Sequence, residues 1–318
     1  MKNSMIIHPD ELSKEWIDKL RDAGIGTLGI HPCGGKNAFE SLEELLKRMQ
    51  TPQYRDLIDY AHSCGVEVEY ELHAMGYLLM RDLFGAHPEY FRMNENGERT
   101  SDYNLCVSNP DALDLVAKNA VQLAMSLYGS THDFYFWLDD GRDLRCNCPL
   151  CRDLSASDQQ MIVLNRMLCE IRKHIPDARM AYLAYVDSLI PPSEVKVGDG
   201  IFLEYAPFEK YTANNENAEE LITREREMIV PLMKTFDKEP KKVLEYWYDN
   251  SLFSEWKKPP NKFVLDRKSM LEDISQYRET GFDCISTFAC FLGKDYEELY
   301  GPADITDFSE AVEDIRDK

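Results

Sequence analysis

The stretch Asp133-Phe-Tyr-Phe-Trp-Leu-Asp-Asp-Gly-Arg-Asp-Leu-Arg-Cys-Asn-Cys-Pro-Leu-Cys151 decides how the rest of the chain is read. It opens as an aromatic β-strand, ends in two adjacent carboxylates, Asp139 and Asp140, and turns at Gly141. Three cysteines follow as Cys146-x-Cys148-x2-Cys151. A strand that runs into acids and then a polar loop has the form of one stave of an enzyme barrel, whose functional groups sit at the C-terminal strand ends.

Working outward, Val66-Glu-Val-Glu-Tyr-Glu-Leu-His73 alternates cleanly, with Glu67, Glu69, Glu71 and His73 on one face. On a half-buried strand that face meets solvent; in a barrel it makes a polar interior. Further strands are expected near residues 5, 27, 179, 200, 242 and 284, most of them separated by amphipathic helical segments. With the strands at 66 and 133, eight alternating β and α units arise, the pattern of a single-domain (β/α)8 TIM barrel over residues 1–318. The crossover after strand 5, Asp187 to Asp199, is so short that its helix is expected to be missing or reduced to a turn around Pro191-Pro192. Residues 76–108 and 141–157 are long loops expected at the catalytic face.

The formal net charge of -21 argues against nucleic acid or an anionic membrane as partner, since both need clustered Lys and Arg. No apolar run approaches the roughly 18 residues of a membrane span. The N-terminus, Met1-Lys-Asn-Ser-Met-Ile-Ile-His8, shows no signal-peptide pattern, and the nine irregularly spaced cysteines suit reduced thiols, so a cytoplasmic location is expected.

The barrel rule converts strand ends into a site. They read His8, His31, His73, Asp139 with Asp140, Tyr185 with Asp187, Glu204 with Tyr205, Glu245 to Asn250, and Thr287 to Cys290. Aromatic rings beside carboxylates suit a small saccharide: rings cover apolar sugar faces, and paired acids cleave a glycosidic bond, one as proton donor and one as nucleophile or base. The expected catalytic residues are Asp140 or Asp139 as acid, opposed by Glu204 or Glu245. His31, His73, Tyr205, Trp247 and Asn250 are the expected substrate-binding residues. Two other readings remain open: a barrel that binds carbohydrate without cleaving it, and a metal-dependent hydrolase or isomerase using His8, His31 and His73.

Thiolates at the spacing of Cys146, Cys148 and Cys151 wrap one tetrahedral ion, with a fourth ligand from Cys106 or a rim His or Asp. The expected metal is a structural zinc clamping the loop after strand 4, not required for catalysis.

The Trp137-Leu-Asp-Asp140 strand end, the cysteine loop, Leu154-Ser-Ala-Ser-Asp158 opening a helix with Asn165, and Ile175-Pro-Asp177 before Ala181-Tyr-Leu-Ala-Tyr185 together resemble the family called domain of unknown function 4838. The resemblance covers most of the chain. It implies a barrel that looks like glycoside hydrolases, akin in architecture to α-glucuronidases and β-hexosaminidases. The hexosaminidase barrel carries an Asp-Glu pair at the end of its fourth strand; Asp139-Asp140 stands there in this sequence, with a shorter second acid.

Overall fold

The computed structural model describes residues 1–139, 141–212 and 218–313. Eight parallel strands close into a barrel in sequence order: β1 (Lys2–Ile7), β2 (Thr27–Ile30), β3 (Glu67–His73), β4 (Asp133–Trp137), β5 (Arg179–Ala184), β6 (Ile201–Tyr205), β7 (Lys241–Glu245) and β8 (Cys284–Phe288). Closure is made by β8 against β1, with Lys2 opposite Cys284 and Ile6 opposite Phe288.

The outer layer comprises α1 (Lys14–Asp22), α2 (Ala38–Arg48), α3 (Pro52–Ser63), α4 (Met75–Leu78), α5 (Pro110–Ser126), α6 (Ala156–Ile171), α7 (Glu209–Thr212), α8 (Ala218–Glu227), α9 (Ile229–Thr235), α10 (Asn250–Phe253), α11 (Arg267–Thr280), α12 (Lys294–Tyr300) and α13 (Thr306–Glu313). Caps set several starts: Ser13, Thr51, Asn109, Ser155 and Asp266 each accept a backbone N–H from the first turn. No helix among the described residues is long and apolar enough to cross a membrane.

Between β5 and β6 the crossover helix is reduced to a single turn at Val186–Ser188. The backbone it leaves behind is satisfied from the neighbouring helix. Asp158 Oδ1 on α6 accepts the N–H groups of Ser193, Glu194 and Val195 at 3.0, 2.9 and 3.0 Å. Ser155 Oγ donates to the other Asp158 oxygen at 2.6 Å. The Ser155-x-x-Asp158 pattern thus caps one helix and substitutes for another.

Strand pleat divides the core in two. Ile6, Tyr135, Trp137, Ala181, Leu183, Phe202, Leu244 and Phe288 point into the barrel, while the alternate positions pack against the helices. The interior is narrow at β2, where a Cβ on Gly29 would lie 2.5 Å from Ile6 Cγ1. The acid face of β3 points inward: Glu69 and Glu71 are buried and bind Lys242 Nζ of β7 at 3.0 and 2.6 Å.

Candidate active site at the barrel mouth

Above this charged layer the C-terminal mouth is walled by rings. His31 lies 5.3 Å from His73, 5.4 Å from Trp137 and 5.1 Å from Phe288, centroid to centroid. The wall continues from Phe288 to Tyr246 (5.2 Å), Phe208 (5.0 Å) and Tyr185 (5.5 Å). His8 closes the other side, 6.0 Å from His31. Each ring comes from the residue at or just beyond a strand end, where the inward direction of the pleat leads into open space.

The histidines are oriented by backbone. His8 Nδ1 donates to the His31 carbonyl and His31 Nδ1 donates to the Glu71 carbonyl, both at 2.8 Å. A carbonyl only accepts, so the neutral ring carries its proton on Nδ1 and leaves Nε2 as an acceptor. Burial first, then the nearby His73 and His8, hold His31 well below the usual histidine range, so it is neutral at physiological pH. The Pro32-Cys-Gly-Gly35 loop passes over His73 so closely that a Cβ on Gly34 would sit 2.5 Å from the imidazole.

Asp139 stands beside this bowl at the end of β4. Its Oδ2 accepts from Arg81 Nη2 at 2.8 Å, and its backbone N–H and carbonyl are both held by the Asn104 side chain, at 3.0 and 2.9 Å. Arg81 also donates to the Tyr103 carbonyl. The long loop before α5 therefore braces the acid from two sides. Asp139 and Asp187 line one cleft with Tyr185, Leu138 and Asn104. Asp140 lies outside the described residues.

The other sequence-predicted residues part company. Glu204 points into the barrel, as a β6 residue two after Phe202 must, but it lies below the bowl with no exposed surface. Trp137 covers it, donating its indole N–H to Glu204 Oε2 at 2.7 Å, and Lys242 is 3.8 Å from Oε1. Glu204 is corrected from a mouth acid to a member of the interior charged layer.

Glu245, Tyr205 and Trp247 are on the opposite parity and face the helices. Glu245 accepts from Lys210 and Tyr277, Tyr205 donates to the Glu225 carbonyl, and Trp247 donates to Asp273. Strand β7 ends at Glu245, and its inward position at the mouth is Tyr246. Asn250 is buried and spends its amide on the Asn261 and Phe291 carbonyls, tying loops together. These four residues are therefore structural here, and only His31 and His73 of the expected binding set reach the bowl.

Sequence reasoning missed Phe208, Tyr246 and Glu209. Glu209 opens α7, nearly buried, with its carboxylate 2.5 Å from Arg142 of the β4 loop. The signal was faint: Glu204-Tyr-Ala-Pro-Phe-Glu209 shows an acid past a strand end, with nothing local to mark which way it turns.

The expected thiols do converge. Cys106, Cys146, Cys148 and Cys151 are all buried, and their Sγ atoms lie within 4.8 Å of one another. Among the described residues no other group of three or more His, Cys, Asp or Glu gathers its ligand atoms so closely; the rim imidazoles lie stacked at 6.0 Å (His8–His31) and edge-on at 5.3 Å (His31–His73).

A family described as "Domain of unknown function (DUF4838)" matches residues 39–285. No curated protein matches the sequence. Among solved structures, the fold superposes on endo-glycoceramidase II from Rhodococcus sp. in a cellobiose-like imidazole complex, with a TM-score of 0.56 at 10% identity, covering 91% of this chain and 73% of that one. A glycoside hydrolase family 5 enzyme from Prevotella bryantii B14 gives 0.52 at 10% identity, covering 95% and 85%. The cold-adapted β-galactosidase from Rahnella sp. R3 gives 0.59 at 12%, covering 98% of this chain and 55% of that one. What these structures share with this chain is the (β/α)8 barrel fold.

Proposed function

The chain belongs to the DUF4838 family, and on that premise we propose that it is a glycoside hydrolase acting on a small saccharide or glycoside held in the aromatic bowl. The observation that carries this reading is the continuous wall of His8, His31, Phe288, Tyr246, Phe208 and Tyr185 at the C-terminal mouth, with Trp137 as floor and Asp139 at its edge. Flat rings cover the C–H faces of a sugar, and the Nε2 of neutral His31 accepts from a hydroxyl. The fold shared with glycoside hydrolases supports the same reading.

In this proposal Asp140 protonates the glycosidic oxygen. Asp139, bound by Arg81, positions the strand end. Glu209, tied to the β4 loop through Arg142, replaces Glu204 and Glu245 as the opposing carboxylate. Asp140→Asn should lower kcat/KM on an aryl glycoside by about 10²–10⁴ with saccharide affinity retained, the loss expected of a missing general acid. Unchanged turnover would overturn the assignment.

A second reading, a barrel that binds saccharide without cleaving it, is favoured by one observation. The two acids expected from β6 and β7 do not face the mouth. It predicts saccharide binding by calorimetry that Phe208→Ala weakens, with no hydrolysis of any glycoside in a panel.

A further inference from the structure

We propose that Cys106, Cys146, Cys148 and Cys151 form a closed four-thiolate zinc site that pins the loop before α5 to the loop after β4. Tetrahedral Zn–S bonds of about 2.3 Å place the sulfurs about 3.8 Å apart. The Cys106–Cys148 and Cys106–Cys151 separations are 3.7 and 3.9 Å. A disulfide would need about 2.05 Å, and all nine cysteines of the chain are free. The sulfurs are thus spaced for a shared cation.

The surroundings are built for that arrangement. Gln159, buried on α6, spends its whole amide on the backbone of the cysteine turn. Its Oε1 accepts from Cys146 N–H at 2.9 Å, and its Nε2 donates to the Cys146 and Cys151 carbonyls at 2.9 and 3.1 Å. The Cys151 N–H closes onto the Cys148 carbonyl at 2.9 Å. With the turn held this way, three sulfurs are presented to one point before any ion arrives.

Four thiolates around Zn²⁺ leave a net negative charge, and cationic and amide donors stand ready for it. Met93 N–H donates to Cys146 Sγ at 3.3 Å, and Arg99 Nη1 lies 3.9 Å from the same sulfur. Both come from the ribbon of residues 91–105, which pairs Phe91 with Leu105 and Met93 with Arg99. No ligand position is left for water or substrate, so the site is structural and its chemistry is cross-linking.

Its reach extends to the mouth. Cys106 is two residues from Asn104, the side chain that grips Asp139 by N–H and carbonyl and donates to the Leu144 carbonyl at 3.3 Å. The ion would fix both loops that hold Asp139 in place.

Protein purified without chelator or added metal should contain about one zinc per chain by elemental analysis. Cys106→Ser and Cys148→Ser should each lose that zinc, while Cys33→Ser, at an exposed thiol outside the cluster, keeps it. Because the serine variants risk misfolding, the wild-type chain should also be reconstituted with Co²⁺ alone. Intense thiolate-to-cobalt charge transfer and tetrahedral visible bands are the expected result. Absence of metal, iron in its place, an octahedral cobalt spectrum, a Cys106 disulfide by mass spectrometry, or equal zinc loss in Cys33→Ser would overturn the proposal.

Discussion

Two lysines anchor this barrel, one buried and one half-buried, and they do different work. Lys242 stands inside it, bound to Glu69 and Glu71 and 3.8 Å from Glu204. Lys210 stands between barrel and helices, 2.7 Å from Glu245 and 2.6 Å from Asp273. The outer cluster is complete. Both Glu245 oxygens are bonded, one by Lys210 and Tyr277, the other by Tyr211 and the Tyr246 N–H. The inner cluster sets three carboxylates against one ammonium and leaves Glu71 Oε2 and Glu204 Oε1 without a hydrogen bond. A satisfied buried network is a brace; an under-satisfied one holds protons. The inner cluster is the one beneath the bowl, separated from it by Trp137.

The largest effect should come from removing the inner cation. Lys242→Met strips the compensation from three buried acids and should cost about 3–5 kcal/mol in urea unfolding, the range for breaking a buried ion pair from one side. Lys210→Met should cost less, about 2–3 kcal/mol, because hydroxyls and an indole N–H still bond Glu245 and Asp273. Equal losses would erase the distinction between the two clusters.

The smallest effect concerns protons. Burial foremost, then the charge of Glu71, lifts Glu204 well above the ordinary carboxylate value of 4.5, against the pull of Lys242 and the Trp137 N–H. A carboxyl that holds its proton more tightly folded than unfolded gives stability that is full below about pH 4.5 and is lost as pH rises through its folded value. Glu204→Gln keeps an oxygen for Trp137 and removes that titration. Its stability relative to wild type should therefore rise with pH above about 4.5, by at most about 1.4 kcal/mol per pH unit. Parallel stability profiles for the two proteins would show Glu204 ionised throughout and sink the proton-holding view.

Much of the fold was legible. Period-two alternation and helix caps placed all eight strands near their observed positions, and Pro191-Pro192 marked the reduced crossover. That the acids of β3 share one face was also readable, because Glu69 and Glu71 alternate with Val68, Tyr70 and Leu72; that this face turns inward was decided by the contact with Lys242. The site was harder. Strand β7 reads Lys242, Leu244 and Tyr246 on one face and Val243, Glu245 and Trp247 on the other, two equally mixed sets. Barrel strands are buried on both sides, so amphipathic contrast vanishes and parity cannot be chosen locally. That is why Glu245 and Trp247, and not Tyr246, were expected from this strand end as site residues. Arg81, Phe208 and Glu209 lie in loops or short turns, where no period points a side chain anywhere.

By itself the sequence determined the rhythm of eight strands, the acid pair at the end of the fourth and the three-cysteine turn, because each is written in residues close together along the chain. The tertiary structure alone decided that Cys106 joins that turn from 40 residues upstream of Cys146, that Lys242 meets the acids of β3, and that Glu204 lies under Trp137. Those contacts depend on barrel closure and pleat parity, which set distances between residues that no local pattern relates.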